Sequence, residues 1–277
     1  MKIKFFCPRW GSELIPWDRF CKLVKEAGYA GIESPIPFEE EERTMMLTEL
    51  SKSGLLLIGH YHQSFEKDFD QHAKNFQLHL ENILQVNPIL VNSQTGKDYF
   101  TREQNNQLFK TANNYYLKTG IQVAHETHRN KALFAAHAAR ELLNENPHLR
   151  ITADFSHWCA VSESLLEQQE EAIDLAIQRS IHIHARIGHA QSAQVPDPRS
   201  ESWKLEVEIH LKWWDRIVQK RLGDGTDMIT VTPEFGPIPY MTVIPYTQIP
   251  IADQWQLNIY IMNLLKNRYA QFVLTGI

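Results

Sequence analysis

Four stretches of the chain decide the fold: IQVAHETHR at 121–129, RITADFSHW at 150–158, IHIHARIGH at 181–189 and ITVTPEFGP at 229–237. Each begins with an alternation that includes β-branched or other apolar residues, which is typical of a buried strand. One ionisable residue stands near the end of each strand, and in chain order these are Glu126, Asp154, His184 and Glu234. The four stretches therefore predict four strands, each with a chemically active side chain at its carboxyl end.

The rest of the 277-residue chain repeats this rhythm of a short apolar run and a longer helical pattern. We predict strands at 3–7, 31–33, 55–60, 88–91, 121–126, 149–154, 181–186 and 228–234. Helices are predicted at 17–27, 39–53, 73–84, 101–120, 133–144, 165–179, 205–221 and 252–266. Eight such units in about 250 residues favour a parallel (β/α)₈ TIM barrel over a doubly wound open sheet. We expect residues 1–277 to form a single domain of this kind.

Side chains of a strand point alternately to its two faces, and this alternation separates two kinds of residue in the last four strands. One set is apolar and suits the layer between strands and helices: Ile121, Val123, Ile151, Ala153, Ile181, Ile183, Ile229 and Val231. The other set is small or polar, and it contains Glu126, Asp154, His184 and Glu234. We expect the second set to face the barrel axis. The four ionisable side chains would then converge at the end of the barrel where barrel enzymes keep their catalytic residues.

Three carboxylates in one confined site repel one another and lose hydration, so the arrangement is costly unless a cation joins them. Carboxylate oxygens with one imidazole nitrogen suit a single divalent ion, Mn²⁺, Mg²⁺, Co²⁺ or Zn²⁺. No cysteine stands in this set, which argues against a structural zinc site. The sequence therefore predicts one divalent metal, with the ligands Glu126, Asp154, His184 and Glu234.

Composition narrows the classes of function and partner. The 28 basic and 33 acidic residues give a net charge of −5, which is the wrong sign for a nucleic-acid-binding surface. No stretch of about 18 apolar residues exists, so we expect no membrane partner. The odd count of three cysteines and the absence of a visible secretory signal favour a cytoplasmic setting. The sequence leaves the oligomeric state open, and one of the adjacent Trp213 and Trp214 is a candidate contact in a homo-oligomer.

The motifs HETHR, DFSHW, HIHAR and TPEFG resemble those of the xylose isomerase-like TIM barrels, the sugar (phosphate) isomerase/epimerase superfamily. The resemblance covers the whole chain. In the ketose 3-epimerases of that family, a Glu, an Asp, a His and a Glu from strands five to eight bind one divalent metal. This implies the same four ligands here and selects His184 over His182, because the family's metal histidine is the second of a His-x-His pair. It also implies substrate contact for His157, three residues after the aspartate, and relates Arg186 to a substrate-holding arginine.

The chemistry that this resemblance implies is proton transfer at a carbon next to a carbonyl, through a metal-stabilised enediolate. Glu126 and Glu234 would be the catalytic carboxylates, on opposite sides of a small carbohydrate: a ketose, a polyol or a sugar acid. The residues to which we assign substrate contact are His157, Arg186, His60, Glu33 and His189. For His60 a hydrogen-bonded rim histidine is the structural alternative, and for Glu33 a salt bridge. An unphosphorylated substrate is preferred, since the loop GPIPYM after strand eight is not glycine-rich.

Three other functions stay open. A keto-polyol dehydratase of the inosose dehydratase type would share the enediolate and then expel a β-hydroxyl. The apurinic-site endonucleases of the same superfamily bind three zinc ions through additional histidines. This chain has Asn92 and Ser93 at the end of strand four and Arg199 in the loop 190–204, where those enzymes have histidines, which argues against this function. A non-catalytic sugar-binding barrel would hold a metal without proton exchange.

Overall fold

A computed structural model describes residues 1–274, with side chains up to residue 270. Its centre is a closed barrel of eight parallel strands that pair in chain order, with β1 closing onto β8. The strands are β1 Lys2–Pro8, β2 Gly31–Ser34, β3 Leu56–Tyr61, β4 Leu90–Ser93, β5 Val123–Glu126, β6 Arg150–Ala153, β7 Ser180–His184 and β8 Met228–Thr232. The predicted (β/α)₈ TIM barrel is confirmed, and the open sheet is excluded.

Nine α-helices accompany the strands within residues 1–274: α1 Trp17–Glu26, α2 Glu40–Ser53, α3 Phe69–Leu84, α4 Arg102–Thr119, α5 Ala136–Glu145, α6 Phe155–Ser162, α7 Glu170–Arg179, α8 Lys204–Gly223 and α9 Gln254–Leu274. None of these helices has the length and apolar character that a membrane span requires. Helix α4 shows how local sequence sets the ends. The Thr101 side chain accepts from the backbone N–H of Gln104, whose side chain accepts from Thr101 N–H in return. Gly120 ends the helix in the left-handed conformation with φ 74°.

The predicted helix over 165–179 is wrong in its first part. Helix α7 begins only at Glu170, and a separate short helix, α6, follows directly after β6. Between them Glu163 and Leu166 adopt the left-handed conformation, with φ 46° and 64°, which interrupts any continuous helix. The side chain of Asp154 accepts a hydrogen bond from the backbone N–H of Ser156 at 3.2 Å and so caps α6. One residue therefore ends the strand region and starts a helix, which fixes its carboxylate tightly.

The core lies in two places, as the alternation of side chains predicts. Outward-facing residues of the last four strands, such as Val123 and Ile151, are buried against the surrounding helices. Inside the barrel a small apolar cluster is formed by Phe6, Ile58, Leu90 and Ala124. Ile181, which we expected on the outer layer, packs against this inner cluster instead. The pairing of β6 with β7 shifts register between Ile151 and Thr152, which explains why the strict alternation fails there.

The adjacent tryptophans of α8 both belong to the core. Trp213 and Trp214 are buried within the chain, and the ring of Trp213 packs edge-on against Phe155 of α6 at 5.7 Å. Neither ring is exposed at the surface. The prediction that one of them marks a contact in a homo-oligomer is therefore wrong, because both already pack against helices of their own chain.

The carboxyl ends of the strands carry the polar residues. β8 ends at Thr232, and Pro233 has no N–H with which to extend the ladder, so Glu234 lies two residues beyond the strand. The insertion 190–204 lies at the same end, because Gln194 accepts from the backbone N–H of Gly236 at 2.7 Å and donates to its carbonyl oxygen at 3.3 Å. This end therefore presents the predicted site residues together.

Candidate active site

The four predicted metal ligands meet at one point. Each offers one ligand atom, and these atoms lie within 4.8 Å of one another. All four side chains are buried: Glu126, Asp154, His184 and Glu234. We call them the four-residue cluster. Three carboxylates and one imidazole at this spacing form a donor set that could hold a divalent cation.

His184 has the orientation that a metal-binding histidine needs. Its Nε2 lies 2.9 Å from Glu33 Oε1, within hydrogen-bond distance. Its Nδ1 lies 2.8 Å from Glu234 Oε2 and 3.8 Å from Glu126 Oε1, without a partner in hydrogen-bond geometry. Metal-binding histidines ordinarily donate one ring N–H to a carboxylate and turn the other nitrogen to the metal. The residues present therefore fit a divalent cation, with Nδ1 as the imidazole ligand.

Glu33 is enclosed by protein groups on both oxygens. Oε1 takes hydrogen bonds from His184 and, at 2.9 Å, from Asn92 Nδ2, while Oε2 contacts His182 Nε2 at 3.1 Å and accepts from Thr232 Oγ1 at 2.5 Å. Burial raises the pKa of this carboxyl, but His184 and His182 outweigh burial and hold it well below its ordinary value. The structure thus places Glu33 as an ionised group that supports His184, with its hydrogen-bonding capacity already used.

Arg186 lies between two carboxylates of the cluster. Its guanidinium pairs with Asp154 Oδ2 and lies 3.3 Å from Glu234 Oε2. The same nitrogen lies 2.8 Å from His157 Nε2, and the group stacks on the ring of Tyr240 at 4.9 Å. Burial lowers the pKa of Arg186, but the two carboxylates outweigh burial and raise it, so the group stays charged. Arg186 is therefore a permanent positive charge at the edge of the cluster.

The two predicted catalytic carboxyls have pKa values displaced in opposite directions. Burial, together with the neighbouring Glu234 and Asp154, raises the pKa of Glu126 well above its ordinary range. Burial also acts on Glu234, but His184 and Arg186 outweigh it and lower the pKa of that group. These displacements describe the metal-free protein, because a carboxylate that binds a divalent cation has to be ionised.

A cavity of about 820 Å³ opens over the cluster, and its lining includes Glu33, His60, Arg186 and Glu234. His60 Nε2 lies 3.8 Å from Glu126 Oε2 and has no hydrogen-bond partner, so it faces the site. The other predicted contacts lie elsewhere. His157 is fully buried behind Arg186, with its ring 3.8 Å from that of His128. His189 packs on Trp203 at 4.7 Å and does not belong to the cavity lining.

Some site residues were missed by the sequence reasoning. Asn92, at the end of β4, donates to Glu33 Oε1 and, at 3.1 Å, to Glu126 Oε2, and thereby joins two carboxylates. Gln94 donates to Glu126 Oε1 at 3.5 Å and lines the cavity. The alternation of side chains that identified Glu126 would also have identified Asn92, which belongs to the inward-facing set of its strand. Lys97 and Lys131 also line the cavity, and no spacing in the sequence connects them.

The comparisons with known proteins support the fold. No protein-family model and no curated protein sequence matches the chain. Among solved structures, 3-keto-D-glucoside 4-epimerase YcjR from E. coli matches with a TM-score of 0.62 and 15% identity, over 96% of this chain and 100% of that chain. The probable 3-DHS dehydratase AsbF involved in petrobactin synthesis from Bacillus anthracis gives 0.57 and 17%, over 96% and 100%. Endonuclease IV from Thermus thermophilus gives 0.58 and 11%, over 97% and 99%.

These matches confirm the resemblance to xylose isomerase-like TIM barrels at the level of the fold. The three matched proteins are an epimerase, a probable dehydratase and an endonuclease, so the same architecture carries different reactions. Identities of this size establish the fold alone, and an argument about function has to come from the site itself.

Proposed function

We propose that the protein is a divalent-metal-dependent sugar isomerase or epimerase that moves a proton at a carbon next to a carbonyl. The observation that carries this proposal is the four-residue cluster, with Nδ1 of His184 turned into it towards Glu234 Oε2 at 2.8 Å. The donor set is compatible with Mn²⁺, Mg²⁺, Co²⁺ or Zn²⁺ held by Glu126, Asp154, His184 and Glu234. A bound divalent cation supplies Lewis-acid stabilisation to the negative charge that develops on the substrate oxygen.

The chain's own residues provide the proton transfers. Glu234, whose pKa is lowered, is the base that removes the proton from carbon and leaves an enediolate. Glu234 in its protonated form, or Glu126 after it has accepted a proton from a substrate hydroxyl, then returns a proton to carbon or oxygen. Positioned acid–base groups typically contribute about 10²–10⁴-fold to such steps. Arg186 lies beside Glu234 and lines the cavity, so its charge stabilises the enediolate and orients the substrate oxygens.

Among the supporting residues, His60 keeps the assignment that the sequence suggested, whereas Glu33, His157 and His189 do not. We assign His60, which faces the cavity, to substrate contact. Because Glu33 is enclosed by four protein groups, we assign it to the orientation of His184. His157 acts through the guanidinium of Arg186, which it contacts. For His189 the position against Trp203 gives no argument for a role in the reaction.

Exchange of the substrate's α-proton with solvent deuterium tests this proposal. The metal-loaded protein is incubated in D₂O with a panel of ketoses, keto-polyols and sugar acids, and deuterium in the carbohydrate is measured by mass spectrometry. We expect exchange with at least one member, and a decrease of about 10²–10⁴-fold in Glu234→Gln. The matched control is Glu42→Gln, which removes an exposed carboxylate from the cavity rim. Exchange at the wild-type rate in Glu234→Gln would show that the base is misassigned.

A dehydratase is the second candidate, because it begins with the same proton removal at the four-residue cluster. After Glu234 has removed the proton from carbon, its protonated carboxyl can return that proton to carbon, or it can protonate a departing β-hydroxyl. The two reactions share proton removal and differ in the product. Loss of one water from the carbohydrate, seen by mass, would assign the protein to the lyases.

A further inference from the structure

Two lysines are buried side by side in the wall of the same cavity. Lys97 follows β4 and Lys131 follows β5, and each is only 5% exposed. Both belong to the cavity lining, and Lys97 acts on Lys131 as a nearby like charge. Buried lysines are rare unless a carboxylate or another anion accompanies them, because an ammonium loses its hydration on burial.

No carboxylate of the described residues lies within ion-pair distance of either lysine. Within the part of the chain that the structure describes, neither ammonium forms an ion pair, and Lys131 Nζ donates to the hydroxyl of Ser64. Glu126 and Glu66 act on Lys131 only at longer range. Burial, with the neighbouring Lys97, lowers the pKa of Lys131 to about 8, so both burial and like charge oppose its ionised form. The free protein thus keeps two lysine side chains at the cavity surface without an ion-pair partner among the described residues.

The neighbouring histidine does not add charge. His62 lines the cavity beside the lysines, and burial, with His60 and Lys131, lowers its pKa to about 3. It is therefore neutral and can accept or donate one hydrogen bond. Through His62 the lysine pair adjoins His60, whose ring lies 5.2 Å from that of His62 and which faces Glu126.

We propose that Lys97 and Lys131, the latter held by the Ser64 hydroxyl, form a subsite for an oxyanion, a carboxylate or a phosphate, carried by the substrate. An oxyanion that entered the cavity would neutralise two ammonium groups and accept their hydrogen bonds. The subsite rests on the proposed function only in naming the substrate class: a sugar acid or a sugar phosphate, whose neutral end lies at the four-residue cluster. Anion binding itself does not require that reaction.

Isothermal titration calorimetry of the metal-free protein with inorganic phosphate and with acetate tests the subsite. Chloride is held constant, and glycerol is the uncharged comparison. We expect one anion per chain, and a loss of at least about tenfold in affinity in both Lys97→Met and Lys131→Met. Lys110→Met, which removes an exposed lysine of α4, is the matched control and retains wild-type binding. The anion that binds more tightly distinguishes a phosphate substrate from a carboxylate substrate.

Several outcomes would overturn the proposal: no heat from either anion in the wild type, binding that survives in both lysine variants, or equal loss in the control. Lys131→Gln is the second variant, and circular dichroism verifies that each protein is folded. Because the protein is metal-free and turns nothing over, this result is independent of the deuterium exchange. Anion binding without deuterium exchange would support the subsite and contradict the proposed isomerase activity. Deuterium exchange that occurs only with neutral sugars and is unaffected by Lys131→Met would support the isomerase and contradict the subsite.

Discussion

Replacing Lys131 by methionine is expected to stabilise the protein at neutral pH, although it removes a residue from the proposed subsite. Burial lowers the pKa of Lys131 to about 8 from its ordinary 10.5. One pKa unit corresponds to about 1.4 kcal/mol, so the ionised lysine costs the folded state up to about 3 kcal/mol. Methionine has a similar length and no charge, and it removes this cost.

The sign of the effect fixes its pH dependence. Since the pKa of Lys131 is lower in the folded protein than in the unfolded chain, the cost is fully present below about pH 8. Above about pH 8 the folded protein releases the Lys131 proton, whereas the unfolded chain keeps it until about pH 10.5. The cost therefore falls steadily across this range and is absent above it. The charged groups that act on Lys131 are Lys97, Glu126 and Glu66, and all three remain in the variant. The stability difference between Lys131→Met and wild type should therefore shrink through this window.

Urea unfolding of the metal-free proteins at several pH values between 7 and 10.5 measures this difference. We expect Lys131→Met to be more stable than wild type by about 1–3 kcal/mol at pH 7, with the slope of the free energy against urea unchanged. Lys110→Met should stay within about 0.5 kcal/mol of wild type throughout. Phosphate or acetate should stabilise the wild type and reduce the gap. A variant that is less stable at pH 7, or a gap that does not change with pH, would refute the reasoning.

Three further changes address the cluster and the barrel. Glu33→Gln should weaken Mn²⁺ binding by about 10–100-fold in calorimetry, because it disturbs the hydrogen bond that orients His184, the proposed imidazole ligand, whereas Glu42→Gln should leave it unchanged. Arg186→Met should tighten Mn²⁺ binding by at least about tenfold, since a fixed cation no longer pairs with two of the carboxylate ligands, and should slow proton exchange. Unchanged affinity would mean that the guanidinium and the metal do not compete. Gly59→Ala should destabilise the barrel in urea by about 1–3 kcal/mol, because the new Cβ would stand 2.3 Å from an isoleucine carbon of α3.

The positions of the strand ends could be predicted because two short-range rules determine them. The two-residue period of a strand places Glu126 and Glu234 on its inward face, and a parallel barrel brings all carboxyl ends to one rim. Where the period fails, so does the prediction: the register shift between β6 and β7 turns Ile181 inward. Glu163 and Leu166 adopt the left-handed conformation, which ends one helix before the next begins. Neither residue is a glycine, so the sequence does not signal the interruption of the helix predicted over 165–179.

Contacts between loops could not be predicted in the same way. Lys97 and Lys131 stand 34 positions apart in the sequence, and they meet because β4 and β5 are neighbours and the loops after both strands turn over the cavity. Neither loop has a sequence motif that predicts this contact. Glu33 shows the converse, since its place at a strand end was predictable but its enclosure by His182, His184 and Thr232 was not. Side-chain partners decide whether a residue touches a substrate, and partners depend on the assembled barrel.

The distribution of charge in the cavity argues for one orientation of the substrate. At the four-residue cluster the protein supplies three carboxylates, which with a divalent cation and Arg186 approach neutrality. This end suits neutral oxygens of a carbonyl and a hydroxyl. Towards β4 and β5 the same cavity has two ammonium groups with no carboxylate of the described chain paired to them, and this end suits an anion. A substrate with its charge at one end and its reacting carbon at the other would bind in only one direction, because reversal would place an anion against carboxylates.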